Sequence, residues 1–297
     1  MTVQIDEVLC SRSAGHAGAE ETSSFPTLVL PRRGVFCYHV DRDAVIADAN
    51  TALLFHPDRP YRVSHPIDGG DDCLALRFDD EVVIEALGRR ATSAAAWFLP
   101  GPLQRYVAAV AGAALVAREP LEREERALDV LAALTSAPRA HADLRDAGRI
   151  DAVRQRLAAS VGAPITLKAL ASDVGCSPFH LARRFRAHTG TSLHQYHLSL
   201  RFAVARALLR EGADDLTDVA LRTGFASHGH FTTAFHAAHG TTPSAWRSRV
   251  SVLHRKTIEI AWPTGRTRNA RANSTNTIHG AQRPASPPCA AKYDNSA

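Results

Sequence analysis

The chain predicts a multidomain α+β architecture: a small β-barrel with following helices, then an all-α domain of two helix-turn-helix units joined by a long helix. Three observations carry that prediction. Residues 25–80 hold short apolar runs separated by Pro, Asp and Gly turns. From 81 to 148 the apolar spacing becomes helical. One segment is also written twice, SPFHLARRFRAHTGTS at 177–192 and SHGHFTTAFHAAHGTT at 227–242, an offset of 50 positions. A length of 297 residues fits about two domains.

Taken in order, residues 1–24 read as a poorly ordered N-terminal arm. The barrel, 25–80, draws its strands from Leu28–Leu30, Val35–Val40, Ala44–Ala47, Ala52–Phe55, Tyr61–Val63 and Cys73–Phe78. Turns are expected at Pro31, Asp41–Asp43, His56-Pro57-Asp58 and Asp68-Gly69-Gly70-Asp71. In the helical dimerisation or linker region, 81–148, Leu103, Tyr106, Val107, Val110, Leu115, Leu128, Leu131 and Leu134 form a packing face. That face can pair two subunits or pack on its own barrel. Residues 149–250 form the all-α domain. The stretch 251–297 reads as a mostly disordered tail, aperiodic and mildly basic from Thr264 to Ala297.

The repeat shows how the all-α domain is built. Thr166 caps a first helix carrying Leu167, Leu170, Ala171 and Val174, and Gly175 breaks it. Ser177 then caps a second helix with Pro178 in its first turn, and Gly190 stops it. Leu181 and Phe185 face inward, which leaves Phe179, His180, Ala182, Arg183 and Arg186 outside. The second copy runs through Leu216, Val219, Ala220 and Thr223 to Gly224, then Ser227, Phe231, Phe235 and Gly240. Its outward residues are His228, Gly229, Thr232, Thr233 and His236. Between the units, Leu198, Phe202, Ala205, Leu208 and Leu209 stripe a helix about 27 Å long. That length suits two recognition helices in adjacent major grooves, about 34 Å apart.

Within 150–249, the motifs LKALASDVGCSPFHLARRFRAHTG, RFAVARALL, VALRTGFASHGHF and GTTPSAWR resemble the DNA-binding domain of the AraC/XylS family of bacterial transcription regulators. The resemblance implies seven helices and binding to bent, double-stranded promoter DNA. It places base or backbone contacts on Phe179, His180, Ala182 and Arg183, and on His228, Gly229, Thr232 and Thr233. Many members carry Arg where Thr233 stands, and Lys or Arg where His236 stands, which implies weaker base readout by the second unit. FHPDRPYRVSHP, at 55–66, resembles the cupin-like sensor half of the same family. That likeness implies a cupin-like barrel, a small-molecule effector and a homodimer, with RNA polymerase as a further partner.

Charge points the same way. Residues 149–250 hold thirteen Arg or Lys against six Asp or Glu, a net of +7, whereas residues 1–148 hold fifteen against twenty-two, a net of −7. A basic module beside an acidic one is the footprint of phosphate binding confined to one domain. Arg183 is the choice for a guanine edge; Arg184 and Arg186 suit phosphates. In the barrel, Val29, Val35, Phe36, Tyr38, Leu54, Phe55, Leu74 and Leu76 supply a lining of which about half can face inward. Tyr38, His39, Arg62 and His65 are the polar groups that would orient a compact organic effector.

Other chemistries find little support. No GxSxG, HExxH, Walker or GxGxxG motif is present, and no catalytic residue, cofactor or metal is assigned. His39, His56, His65 and Cys73 lack the HxH-and-Glu pattern of metal-binding cupins. The five cysteines, Cys10, Cys37, Cys73, Cys176 and Cys289, are odd in number and scattered, so no disulfide framework or zinc ribbon is expected and a reducing cytoplasm fits. A thiol switch through Cys37 and Cys73 is the weaker reading. No apolar run suits a membrane span and Met1 opens no signal peptide. Three functions remain: an effector-controlled DNA-binding regulator, a DNA-binding regulator whose first half only dimerises or meets a protein partner, and an enzyme fused to a DNA-binding domain. The third lacks its reactive motif.

Overall fold

In a computed structural model the described residues are 3–11, 14–15, 18–41, 43–88, 96–139, 144–213 and 215–251. The tail from 264 onward lies outside them. Seven antiparallel strands come first: β1 (Gln4–Cys10), β2 (Thr27–Val40), β3 (Asp43–Asp48), β4 (Thr51–Phe55), β5 (Tyr61–Ser64), β6 (Asp71–Arg77) and β7 (Ala96–Phe98). Helices α1 (Asp80–Leu87), α2 (Gly101–Val116) and α3 (Pro120–Leu134) accompany them. The chain then turns wholly helical through α4 (Leu144–Ala159), α5 (Leu167–Asp173), α6 (Pro178–Thr189), α7 (Leu193–Arg210), α8 (Leu216–Arg222), α9 (His228–His239) and α10 (Pro243–Ser251).

The sheet is organised on β2. Its first half pairs with β6 and β4, its second half with β3 and β5, and the main path runs β1-β6-β2-β4-β7. A closed barrel is the expectation; among the described residues no pairing joins the two ends of this path, so the sheet is open. A turn is expected at Pro31, yet β2 runs straight through it. The ladder shifts register between Pro31 and Arg33, and an irregularity of that kind tolerates the missing N–H. Gly34, at φ +82°, then lets β2 bend towards its second set of partners: a Cβ there would lie 2.1 Å from the carbonyl oxygen of Gly70.

Two further elements fall where none is expected. The arm 1–24 contains β1, which is ordered by full register with β6 and by ion pairs from Arg32 to Glu7 and from Arg77 to Asp6. Residues 81–148 contain β7, a three-residue strand that β4 recruits. Short edge strands of this sort gain their order from pairing, which a periodicity count does not see.

Alternation divides the strand residues between two cores. Leu28, Leu30, Leu54, Leu74, Leu76 and Trp97 pack under α2 and α3 with Val107, Ala111, Val130, Leu131 and Leu134. Most of the helical packing face is therefore spent on the chain's own sheet, although Tyr106 and Leu128 stay exposed. The alternate residues Val29, Leu53, Phe55 and Ala75 join Phe36, Tyr38, Val40 and Tyr61 from the other half of β2 and its partners. Tyr38 stacks on Phe55 at 4.3 Å, and Tyr61 lies 4.7 Å from Phe55, so this interior is filled by its own aromatics.

The helical half docks on the sheet through a buried polar network. The β3–β4 turn pushes Ala49 into a core of Ile150, Val153, Leu157, Leu200 and Ala203. Beside it, Asp48, Arg154 and Tyr196 are sealed from solvent at 0, 1 and 1% exposure. Arg154 donates from Nε to the Tyr196 hydroxyl (2.7 Å) and from Nη2 to the Ile46 carbonyl (2.9 Å) and Asp48 Oδ2 (3.2 Å). The Tyr196 hydroxyl donates to Asp48 Oδ2 at 2.5 Å. The guanidinium also lies over the Phe98 ring, 4.9 Å from its centroid. Burial acts to lower the Arg154 pKa, but Tyr196, Asp48 and Asp151 outweigh it and hold the cation above its usual value. A second tie joins Arg210 of α7 to Asp72, which Arg32 also holds.

Removing one member of a buried pair strands the other, at a cost of about 3–5 kcal/mol. Arg154→Ala is therefore expected to lower stability by about that amount in chemical unfolding, and Asp48→Asn added to it should recover part of the loss. Equal stability of Arg154→Ala and the native chain would exclude the network as the anchor.

A histidine at the junction of the helices supplies a pH test. His197 Nε2 lies 3.2 Å from the Ser160 carbonyl, and burial, then Arg201, lowers its pKa from 6.5 to about 4. Below pH 6.5 the unfolded chain takes up a proton that the folded chain refuses until about 4, so stability falls as pH drops through that window. Melting temperature should decline between those values, and His197→Gln should make the decline shallower.

Candidate nucleic-acid interface

Each duplicated unit is punctuated by its own polar residues. The Thr166 side chain accepts from the Ala169 N–H, Ser177 from His180, Asp215 from Thr217 and Ser227 from His230. Gly190 and Gly240 close α6 and α9 in left-handed geometry at φ +74° and +67°. The turns inside the units hold Gly175 and Gly224, at φ +64° and +77°. At Gly224 a Cβ would sit 2.7 Å from the Val161 carbonyl oxygen, so only glycine lets the second unit seat against the α4–α5 turn. Arg201 donates to that same carbonyl at 3.2 Å.

The connector α7 is 18 residues long and is buried on more than one side. Its Tyr196, Leu200 and Ala203 belong to the first unit's core with Leu181 and Phe185. Its Phe202, Ala205, Leu208 and Leu209 belong to the second unit's core with Phe225, Phe231 and Phe235. One rigid helix thus fixes the spacing of α6 and α9. At 1.5 Å per residue it is about 27 Å long, the length expected for the connector.

All eleven sequence-predicted DNA residues lie on α6 and α9. Phe179 (78% exposed), His180, Arg183, Arg184 and Arg186 are exposed on α6, and Ala182 is half-buried. On α9, His228, Gly229, Thr233 and His236 are exposed and Thr232 is half-buried. The Thr232 hydroxyl lies 3.3 Å from His228 Nε2, so part of its hydrogen-bonding capacity is used within the helix. The inward residues of both helices are buried, and the outward face of α6 carries three arginines against none on α9. Docking on the sheet leaves both outward faces open: it is the end of α6, at His188, that meets Phe98, with ring centroids 5.3 Å apart.

The four candidate effector residues are not brought together. Tyr38 points into the aromatic interior, its hydroxyl is buried without a hydrogen-bond partner, and burial pushes its pKa up to about 12. His39 and Arg62 are paired in register on the opposite face; His39 Nε2 lies 2.7 Å from Ser64 Oγ, and Arg62 reaches Glu20 at 3.4 Å. His65 lies apart, beside Asp71. A cavity of about 230 Å³ instead opens between the sheet and the helical half, lined by Arg33, Gly34 and Ile67–Gly70 on one side and by Ala158, Val161, Leu200 and Val204 on the other. Sequence reasoning missed this seam. Its one legible sign was Arg154, standing in the stripe of Ile150, Val153 and Leu157, where an arginine persists only if paired.

Among the described residues Cys10, Cys73 and Cys176 are free thiols. Cys73 is a buried thiol pushed well up by burial and by Asp71 and Asp72, and it forms no disulfide, so no bond links it to Cys37. No helix among the described residues is long and apolar enough to cross a membrane.

Residues 170–249 match the protein family described as a helix-turn-helix domain. The HTH-type transcriptional activator RhaR of Pectobacterium atrosepticum is 37% identical over 106 residues, covering 36% of this chain and 37% of that protein. The HTH-type transcriptional regulator GlxA of Rhizobium meliloti is 35% identical over 98 residues, covering 33% of this chain and 30% of that protein. The chain thus spans about a third of the length of these curated relatives, both of them regulators rather than enzymes. A solved structure of apo ToxT from Vibrio cholerae matches 84% of this chain and 98% of its own, at 11% identity and a TM-score of 0.37. Residues 170–249 are thus a helix-turn-helix domain of the AraC type, shared with these transcription regulators.

Proposed function

We propose that this chain is a sequence-specific DNA-binding transcription regulator whose first half receives a small-molecule effector. The observation that carries the reading is the duplicated, capped helix pair. Two recognition helices stand on one buried connector with their outward faces exposed. In this reading 25–80 is a cupin-like sensor, 81–148 a dimerisation region and 149–250 the DNA-binding domain, acting on promoter DNA in the cytoplasm with RNA polymerase as a further partner. Exposed Tyr106, Val116, Leu121 and Leu128 on α2 and α3 are the apolar side chains available to a second copy.

Within the interface, Arg183 is assigned to a guanine edge, Arg184 and Arg186 to phosphates, and the shorter side chains of α9 to backbone and van der Waals contact. Arg183→Ala is expected to cost about 1–3 kcal/mol of specific binding and to relax preference at one base pair. Thr233→Ala should cost much less, and equal losses would reverse the assignment. Arg186→Ala should weaken binding to all sequences alike and reduce the salt slope by about one. Titration of full-length variants against the same promoter fragment at several salt concentrations reads both effects.

For the effector, the filled aromatic interior favours the second reading, in which the first half only dimerises or meets a protein partner. The seam cavity favours the first, because a ligand there touches both halves at once. Its volume suits a compact molecule rather than a polymer. A ligand bound only by the folded chain stabilises it by about 2.7 kcal/mol at a hundredfold excess over its Kd. Thermal-shift screening of small metabolites on the full chain should find a stabiliser that also changes promoter occupancy. Seam variants such as Ala158→Leu should block both effects. A stabiliser that leaves occupancy unchanged would point to the second reading.

A further inference from the structure

We propose that Cys10, His65 and Asp71 form a site for a single divalent transition-metal ion of the zinc class. Cys10 closes β1 and Asp71 opens β6, where the two are direct partners in the ladder; His65 follows β5. Their donor atoms, a thiol sulfur, a ring nitrogen and a carboxylate oxygen, all lie within 4.8 Å of one another. His65 and Asp71 are buried at 1 and 7% exposure, while Cys10 is partly exposed and gives a route in.

The geometry differs from that of an ordinary buried His–Asp pair. His65 Nε2 stands 3.5 Å from Asp71 Oδ1, whereas a charge-assisted hydrogen bond closes to about 2.7–2.9 Å. Nδ1 of the same ring is buried with no partner. Nitrogen and oxygen ligands on one tetrahedral zinc, at about 2.0–2.2 Å from it, stand about 3.4 Å apart. The spacing present therefore matches two ligands of one ion better than a donor and its acceptor.

The backbone holds the donors at this spacing. A Cβ on Gly70 would lie 1.8 Å from the Cys10 carbonyl oxygen, and one on Gly34 2.1 Å from the Gly70 carbonyl oxygen, so the strand ends meet through glycine alone. The His65 carbonyl is fixed by the Gly15 N–H at 3.0 Å. A thiolate, an imidazole and a carboxylate together select zinc, cobalt or a similar ion over magnesium or calcium, which take oxygen ligands. Binding releases the Cys10 thiol proton to solvent as the sulfur–metal bond forms. Three protein ligands leave a fourth position for water or a ligand. Gly69 and Gly70, next to Asp71, line the seam cavity, so an ion here stiffens the wall against which the helical half docks.

Cobalt(II) is the probe, added to chelator-treated full-length protein under reducing conditions. One equivalent should bind per chain with a thiolate-to-cobalt charge-transfer band and the visible bands of a tetrahedral ion, and zinc should displace it. Cys10→Ser should abolish the charge-transfer band. His65→Gln and Asp71→Asn should each weaken zinc binding more than about tenfold, since losing even an outer-shell partner costs 10–100-fold. Cys176→Ser, remote from the site, should leave the spectrum unchanged. Absence of a charge-transfer band from the native protein overturns the proposal, and so does its survival in Cys10→Ser. The native-protein spectrum keeps the test decisive even if a variant misfolds.

Discussion

The buried Arg154–Asp48–Tyr196 network is the constraint on which the rest of the architecture depends. It joins α4, the β3–β4 turn and α7, three elements distant in sequence, through groups with almost no solvent contact. Isolated, each of those groups would cost several kcal/mol to bury; together they satisfy one another. A buried ion pair adds little net stability over a well-packed apolar contact, but it tolerates only one relative placement of its members. An apolar seam could slide. This one sets the orientation of α7 on the sheet, and α7 in turn carries both recognition helices.

In the proposed regulator, that arrangement lets the sheet influence DNA binding without covering the outward faces of the recognition helices. The outward faces of α6 and α9 are open in the docked chain, so docking does not act by occlusion. What docking constrains is the first unit, whose α6 ends at Thr189 against Phe98, Pro100 and Pro138. The second unit is held at longer range, through α7 and through the Gly224–Val161 approach. Under the proposed effector reading, a ligand at the seam shifts DNA binding only by the difference in its affinity for docked and undocked arrangements. The ionic ties at Asp48 and Asp72 are what such a ligand works against.

The helical half was legible in the sequence because its punctuation is local. Ser177, Ser227, Gly190 and Gly240 act within one turn of themselves, and a cap or a left-handed stop needs no tertiary context. The sheet was legible less completely, for reasons particular to its strands. Residues 4–10 carry Gln, Asp and Glu and gain strand structure only from β6. Pro31 is a turn signal by composition, yet the register shift beside it accommodates the ring. Closure into a barrel depends on whether edge strands meet, which no single strand encodes. The interior was read as a ligand cavity from its apolar content, but the stacking of Tyr38 on Phe55 consumes that volume. Composition says which side chains face inward and does not say whether they leave space.

Polar residues were hardest to assign, since their roles depend on neighbours remote in sequence. Tyr38, His39, Arg62 and His65 looked equivalent as polar groups on strands, but alternation sends Tyr38 to one face and His39 with Arg62 to the other. His65 belongs with residues more than fifty positions upstream and six downstream of it, at a point where three strand ends converge on Gly34 and Gly70. That convergence has a mechanical meaning for the whole chain. The loop from His65 to Asp71 supplies two of the proposed metal-donor groups, one at each end, and the floor of the seam cavity between them. Asp72, the next residue, holds Arg210 of the connector. The proposed ion site, the cavity and the connector are thus linked through eight consecutive residues. A displacement of this loop cannot alter one of them while leaving the other two untouched.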